Sequence, residues 1–415
     1  MFDFIDLEYN EEYQALETSL YIPDAAECMR CGLCVSSCPT FRLFQTNEET
    51  PRQRLRTISK ILIDKQAIST NERKQLDNCL QCRACEISCP SYVAYGQLFD
   101  QARLALETKP TALANLAFKL IEKKRLRSWL MPLLAIYLKF GLQKPLRYFN
   151  VLKKLHLSEA DTLFAKPALQ AMTDRYPTSK IKRGQVAMFT GCIAEHLDRN
   201  TLMSAIKLLN EIGYEVLVPK QQSCCGAIHQ HNGQSANTFV TNNIEVFNAL
   251  EVDAVLHVAT GCGAMLSEYR SDDNIATAYF LQRLRDINEF VLKQWPNEIK
   301  LIPSKLKVSV HEPCSQRNIL KNQAIVYALL HKIPDITVTE LANNNLCCGA
   351  GGSYMLTHPN NAKQLRTLKL QSISKMQVDI VVSSNFGCSV FLNNDQCKVV
   401  HPLVVLARHL ESAGE

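Results

Sequence analysis

Cys28, Cys31, Cys34 and Cys38, followed by Pro39, have the spacing C-x2-C-x2-C-x3-C-P, and Cys79, Cys82, Cys85 and Cys89, followed by Pro90, repeat it. This crowding suits a cubane iron-sulfur cluster, in which each iron needs one soft thiolate. Three cysteines at short separations can wrap one cluster, whereas the fourth sits too far round to join them. In two-cluster ferredoxins the fourth cysteine of each run ligates the other cluster. The expected sets are therefore Cys28, Cys31, Cys34 and Cys89 for one [4Fe-4S] cluster, and Cys79, Cys82, Cys85 and Cys38 for the second. Zinc draws its four ligands from separated C-x2-C pairs, and cytosolic disulfides are uncommon, so neither alternative suits a twelve-residue pattern that occurs twice.

A second constellation lies downstream. Cys192, Cys224-Cys225-Gly226 and Cys262 recur as Cys314, Cys347-Cys348-Gly349 and Cys388. Adjacent cysteines on a regular strand point to opposite faces, so each pair belongs on a sharply turned loop whose glycine takes an unusual conformation. Each half offers four thiols for a further iron-sulfur cluster or for zinc, with buried free thiols as the alternative. These sets use all of the seventeen cysteines except Cys397, an expected core thiol. His229, His231, His311, His358 and Glu312 lie near these loops, as ligands, as proton carriers or as polar neighbours that orient ligands. No apolar strand directly precedes Gly349-Ala350-Gly351-Gly352, so it fails as a dinucleotide loop.

The elements that must position these residues fall into successive blocks. Residues 1–108 read as a helical ferredoxin-like domain, with an amphipathic helix starting at Pro51 and carrying Arg54, Leu55, Ile58, Ile61 and Leu62. Residues 109–180 form a basic, amphipathic helical linker. From about Ile181 apolar strands alternate with helices, and the pattern duplicates. Gln185–Cys192 matches Lys307–Cys314, and Val252–Cys262 matches Val378–Cys388. Two α/β halves, 181–303 and 304–415, follow, each delivering cysteines into loops at the C-terminal ends of strands. The expected fold is thus α+β multidomain: a helical domain for two [4Fe-4S] clusters, then a duplicated α/β Cys-Cys-Gly domain with mainly parallel sheets.

At 415 residues and 47% hydrophobic content the chain can bury a sizeable core. Its first residues carry Asp3, Asp6, Glu8, Glu11 and Glu12 but no Lys or Arg before Arg30, unlike a signal peptide. A cytoplasmic location is expected. The longest uncharged apolar run, Trp129–Leu138, is interrupted by Pro132 and falls far below the roughly 20 residues that span a membrane. Between Lys109 and Leu157, eleven Lys or Arg face one acidic residue, Glu122, so the net charge of +6 is concentrated there. Lys119, Lys123, Lys124, Arg125 and Arg127 precede the Trp-anchored stretch, and Lys139, Lys144, Arg147, Lys153 and Lys154 follow it. That pattern suits an interfacial helix at the inner face of the cytoplasmic membrane; a core helix or a docking face for an acidic partner are the alternatives. No nucleic-acid partner is expected.

These motifs, with Pro51-Arg52 after the first cysteine run and Tyr95-Gly96 through Arg103 after the second, resemble the iron-sulfur subunits of glycolate oxidase (glycolate dehydrogenase). These belong to the wider Cys-Cys-Gly family related to heterodisulfide reductase. The resemblance implies a peripheral complex in which a separate FAD subunit oxidises glycolate to glyoxylate and electrons pass through this chain toward quinone. It implies no flavin site and no catalytic residue here, and no activity for the chain alone. Heterodisulfide reductase relatives add a closing cysteine in each half, where this sequence has Met265 and Phe391. Two function classes remain: the electron-transfer subunit of a 2-hydroxy acid (glycolate or lactate) or glycerol-3-phosphate dehydrogenase, and a thiol-disulfide reductase acting directly on substrate. The missing closing cysteines favour the first.

Overall fold

The structure, a computed structural model, describes residues 28, 31–106, 112–154, 157, 161 and 172–411. The acidic N-terminal stretch, apart from Cys28, and parts of the basic linker, Lys109 among them, lie outside the described residues.

Helix Pro51–Leu62 starts where its sequence dictates: Pro51 takes the first helical position, and the Thr50 hydroxyl accepts from the Gln53 amide at 3.2 Å. Its face of Leu55, Ile58 and Ile61 packs on Leu98, Phe99 and Ala102 of helix Tyr95–Ala105. Each such side chain contributes about 1.5–3 kcal/mol by leaving water. The cysteine runs fold alike on either side of this pair. Gly32 and Arg83, at matching places, both take left-handed backbone, with φ of 79° and 56°. Each is followed by a one-turn helix, Leu33–Ser36 or Ala84–Ile87.

The duplicated region forms two sheets. The first comprises β1 (Arg175–Tyr176), β2 (Gly184–Phe189), β3 (Tyr214–Leu217), β4 (Ala254–His257) and β5 (Leu284–Asp286), in the order β1-β3-β2-β4-β5. The second comprises β6 (Lys307–His311), β7 (Thr337–Glu340), β8 (Ile380–Ser383) and β9 (Val399–Val400), in the order β7-β6-β8-β9. Apart from the antiparallel edge strand β1, every pairing is parallel and the two topologies coincide. Runs such as Val186-Ala187-Met188-Phe189 are buried throughout, as strands covered by helices on both faces require. One apolar core spans both sheets, joining Val186, Val216 and Leu256 to Val308, Val310, Val382 and Leu406.

The linker is helical over Ala112–Glu122, Lys124–Lys139 and Gln143–Tyr148. Pro132 does not end its helix; it sits inside Lys124–Lys139, where it removes one backbone donor without closing the helix down. Trp129, Leu133, Ile136 and Phe140 recur at helical spacing and are exposed, Trp129 by 80%. Arg127, expected with the exposed cations, turns inward and donates to the carbonyls of Leu120 and Ile121. Lys124 pairs with Glu195 at 3.1 Å. Buried Asp161 gathers Tyr137, Gln143 and Arg147. Among the described residues, no helix is long and apolar enough to cross a membrane.

Candidate iron-sulfur centres

The two cysteine runs converge on two adjoining cavities. One is lined by Cys28, Cys31, Cys34 and Cys89; the other by Cys38, Cys79, Cys82 and Cys85. The fourth cysteine of each run thus faces the cavity of the other run. Cys85, Pro51 and Tyr95 border both spaces, so the two sites are contiguous. Burial pushes the Cys79, Cys82 and Cys85 thiols up from their ordinary pKa, the last two far. A thiolate in such a place needs a cation to compensate it, which is what a bound metal would supply.

Arg54 is the polar centre of this wall. Only 1% exposed, it donates through Nε to the Gln75 carbonyl at 2.7 Å and through Nη1 to the Glu49 carbonyl at 3.2 Å. Nη1 also reaches Cys38 Sγ at 3.6 Å, and Nη2 pairs with the Glu49 carboxylate. Asn78 holds the second Glu49 oxygen at 2.6 Å. A donor aimed at a ligating sulfur raises the potential of the centre that sulfur holds.

In each Cys-Cys-Gly half the four thiols form a chain of sulfur contacts. Cys192 meets Cys224, Cys224 meets Cys225, and Cys225 meets Cys262. Cys314, Cys347, Cys348 and Cys388 do the same, the last pair at 3.1 Å. Gly226 and Gly349 both have left-handed backbone, with φ of 89° and 92°, and their amides donate to Cys224 Sγ at 3.4 Å and Cys347 Sγ at 3.5 Å. A Cβ at these positions would lie 2.8 Å from Ala236 Cβ and 2.6 Å from the Ala362 carbonyl, so only glycine turns the pair tightly enough. Hydrogen bonding to Cys224, then burial, raises the Cys192 thiol; Cys347 and burial do so for Cys314. Contiguous thiols, six of the eight buried, fit a thiolate-bound metal group. Cys262 and Cys388 occupy the first turns of helices Thr260–Leu266 and Phe386–Leu392 rather than loops, because each strand runs almost directly into its helix.

Both thiol sets open on one shared cleft, lined also by Leu80, Gln81 and Arg83 from the second cysteine run. The cluster region is fastened over it. Arg83 forms a two-pronged ion pair with Glu268, Gln81 donates to the His231 carbonyl at 3.0 Å, and Asn318 donates to the Cys82 carbonyl at 2.7 Å. The Cys314 thiol lies close enough to Cys82 to add, after burial, to the rise of the Cys82 pKa.

The five polar residues near the loops separate. His229 bonds Glu122 at 3.1 Å, His231 approaches Asp100 at 3.4 Å, and His358 stacks on Tyr354. Glu312 accepts from Tyr327 at 2.8 Å. His311 alone, among the described residues, joins cysteine sulfurs in a cluster of metal-ligating atoms: its ring nitrogen, Cys348 Sγ and Cys388 Sγ lie within 4.8 Å of one another. Cys397 packs in the apolar core with Leu392 and Val399. Sequence reasoning placed Arg54 only on an amphipathic face and missed Glu49, Asn78, Glu268 and Asn318. A charged residue on the apolar side of a helix was the one available signal.

Residues 24–93 match the 4Fe-4S dicluster domain, and residues 186–267 and 308–393 the Cysteine-rich domain. The glycolate oxidase iron-sulfur subunit of Escherichia coli (strain K12) is 30% identical over 427 residues, covering 97% of this chain and 98% of that protein. The probable glycolate oxidase iron-sulfur subunit of Bacillus subtilis (strain 168) is 29% identical over 385 residues, covering 87% of this chain and 86% of that one. A crystal structure of a hypothetical protein from Helicobacter pylori shares the fold, with a TM-score of 0.54 at 11% identity over 91% of this chain and 71% of that chain. With thiols gathered into contiguous sites and a near full-length relative of the same build, the chain belongs to the family of glycolate oxidase iron-sulfur subunits and is an iron-sulfur electron-transfer protein.

Proposed function

We propose that this chain passes electrons from a flavin-containing subunit that oxidises glycolate, or a closely related 2-hydroxy acid, toward quinone. The supporting observation is continuity. The cavity of Cys28, Cys31, Cys34 and Cys89 adjoins that of Cys38, Cys79, Cys82 and Cys85, whose Cys82 neighbours Cys314, and both Cys-Cys-Gly halves open on one cleft. We assign these four cysteine sets as the ligands of the metal groups. When bound, iron-sulfur clusters supply one-electron carriers that need no substrate contact. The chain's own residues then hold thiolates in place, shield them from water and, through Arg54, set the charge beside Cys38.

Hydride abstraction from a hydroxy acid needs an organic acceptor, and the sites that the described residues form are thiol sites rather than a flavin cradle. The purified, cluster-loaded chain is therefore expected to leave glycolate and lactate unoxidised, while addition of the flavin subunit restores dye or quinone reduction. Robust turnover by the flavin-free chain would overturn this reading in favour of direct thiol-disulfide chemistry.

The exposed stripe of Trp129, Leu133, Ile136 and Phe140 with its flanking cations supports peripheral attachment to the inner face of the cytoplasmic membrane. Arg127 and Lys124 are engaged by the protein, so the test uses the exposed Lys123, Arg125, Lys139 and Lys144. Each cation near an anionic surface is worth about 1 kcal/mol. Changing all four to Glu should weaken binding to phosphatidylserine vesicles on the order of a thousandfold. Unchanged sedimentation with vesicles at low salt would rule out the electrostatic anchor.

A further inference from the structure

The two Cys-Cys-Gly halves match in topology and thiol placement, yet they differ in what closes the central strand pair beneath the thiols. In the first half, β2 ends on Phe189, paired across the sheet with His257 of β4. In the second, β6 ends on His311, paired with Ser383 of β8. Each half thus carries one histidine at this level, on opposite strands of the pair. The first half's histidine is turned away from the thiols: His257 Nδ1 faces Asp286 of β5 at 3.8 Å, and its ring fills the space beside Gly263. Phe189 instead presents a hydrocarbon ring to the cleft.

His311 is placed differently. It is 2% exposed, its Nδ1 is engaged by Ser383 Oγ at 3.1 Å, and a ring nitrogen lies within 4.8 Å of both Cys348 Sγ and Cys388 Sγ. A hydrogen bond to one ring nitrogen that orients the other toward a metal is the usual support of an imidazole ligand. The β-ladder register fixes the ring's origin, so the nitrogen is presented without a flexible stem.

We propose that His311 is an imidazole ligand of the metal group in the second Cys-Cys-Gly half, alongside Cys314, Cys347, Cys348 and Cys388. The first half is held by Cys192, Cys224, Cys225 and Cys262 through sulfur only. This rests on the assignment of the halves as metal centres made above. The two halves are then electronically unequal despite their duplication. The second half, which adjoins Cys82, is then the one with a nitrogen donor beside its four thiolates.

The test uses the full chain, loaded anaerobically with isotope-enriched iron and grown on 15N-labelled histidine. Pulsed EPR of the paramagnetic states should show a strongly coupled histidine nitrogen, absent from His311→Phe, which copies the first half, and from His311→Gln. Mössbauer spectra record every iron whatever its spin, and His311→Phe should shift the doublet of one iron site while total iron stays constant. Iron bound to the second half with no coupled histidine nitrogen, and with Mössbauer spectra identical in wild type and variant, would overturn the imidazole ligand alone. The Cys347→Ser/Cys348→Ser double variant separates the two levels. If it retains the full wild-type metal content, the second half is no metal centre, and the assignment of the halves falls together with the ligand.

Discussion

Cys38→Ser is expected to strip the cluster whose remaining ligands are Cys79, Cys82 and Cys85, although those three residues lie in the other cysteine run. Cys38 lines the cavity of the second run, while Cys89 lines that of the first. A serine oxygen is a poor substitute for a soft thiolate, and the site would lose about four iron atoms per chain. The cavity of Cys28, Cys31, Cys34 and Cys89 keeps all of its thiols. Iron analysis with EPR of the reduced protein reads the result directly. Loss of the Cys28 cluster with the Cys79 cluster intact would refute the crossed pairing, and Cys89→Ser provides the mirror experiment.

Arg54→Leu is expected to destabilise the cluster region by about 3–5 kcal/mol, because it leaves the buried Glu49 carboxylate without its cation. The Gln75 carbonyl loses its donor at 2.7 Å at the same time. Asn78 still bonds Glu49 but carries no charge to balance it. Denaturant titration followed by the visible absorption of the bound clusters would measure the effect. The double variant Arg54→Leu/Glu49→Leu should recover much of the loss, since removing both charges leaves neither uncompensated. A single variant as stable as wild type would show that the pair carries no such burden. Because the guanidinium also reaches Cys38 Sγ, any Arg54→Leu protein that retains iron should have a lowered potential at the Cys38 centre.

Much of this architecture was legible in the sequence because its signals are local or periodic. Four cysteines within eleven residues specify their own cradle, and the recurrence of Cys192, Cys224 and Cys262 as Cys314, Cys347 and Cys388 reports the duplicated sheets. The glycines after the paired cysteines adopt the left-handed backbone expected of them. The contacts that escaped notice all depend on which distant segments the fold brings together. Arg83 and Glu268 belong to different blocks, as do Asn318 and Cys82, and no spacing rule joins them. Arg127 illustrates the same limit: it belongs to a basic run, but the backbone carbonyls ending the preceding helix turned it inward. Cys262 and Cys388 were expected in loops because sequence patterns locate strand ends better than the helix starts that follow them within a few residues.

The common core beneath the two sheets has a consequence for what duplication achieved. Val186 and Leu256 pack in the same apolar mass as Val308 and Leu406, and helix Arg199–Glu211 lies against Pro402–Arg408. Two copies with separate cores would have been beads on a string. Here the fused interior means that either half alone would expose its share of the common apolar core, so the two halves are bound into one cooperative unit.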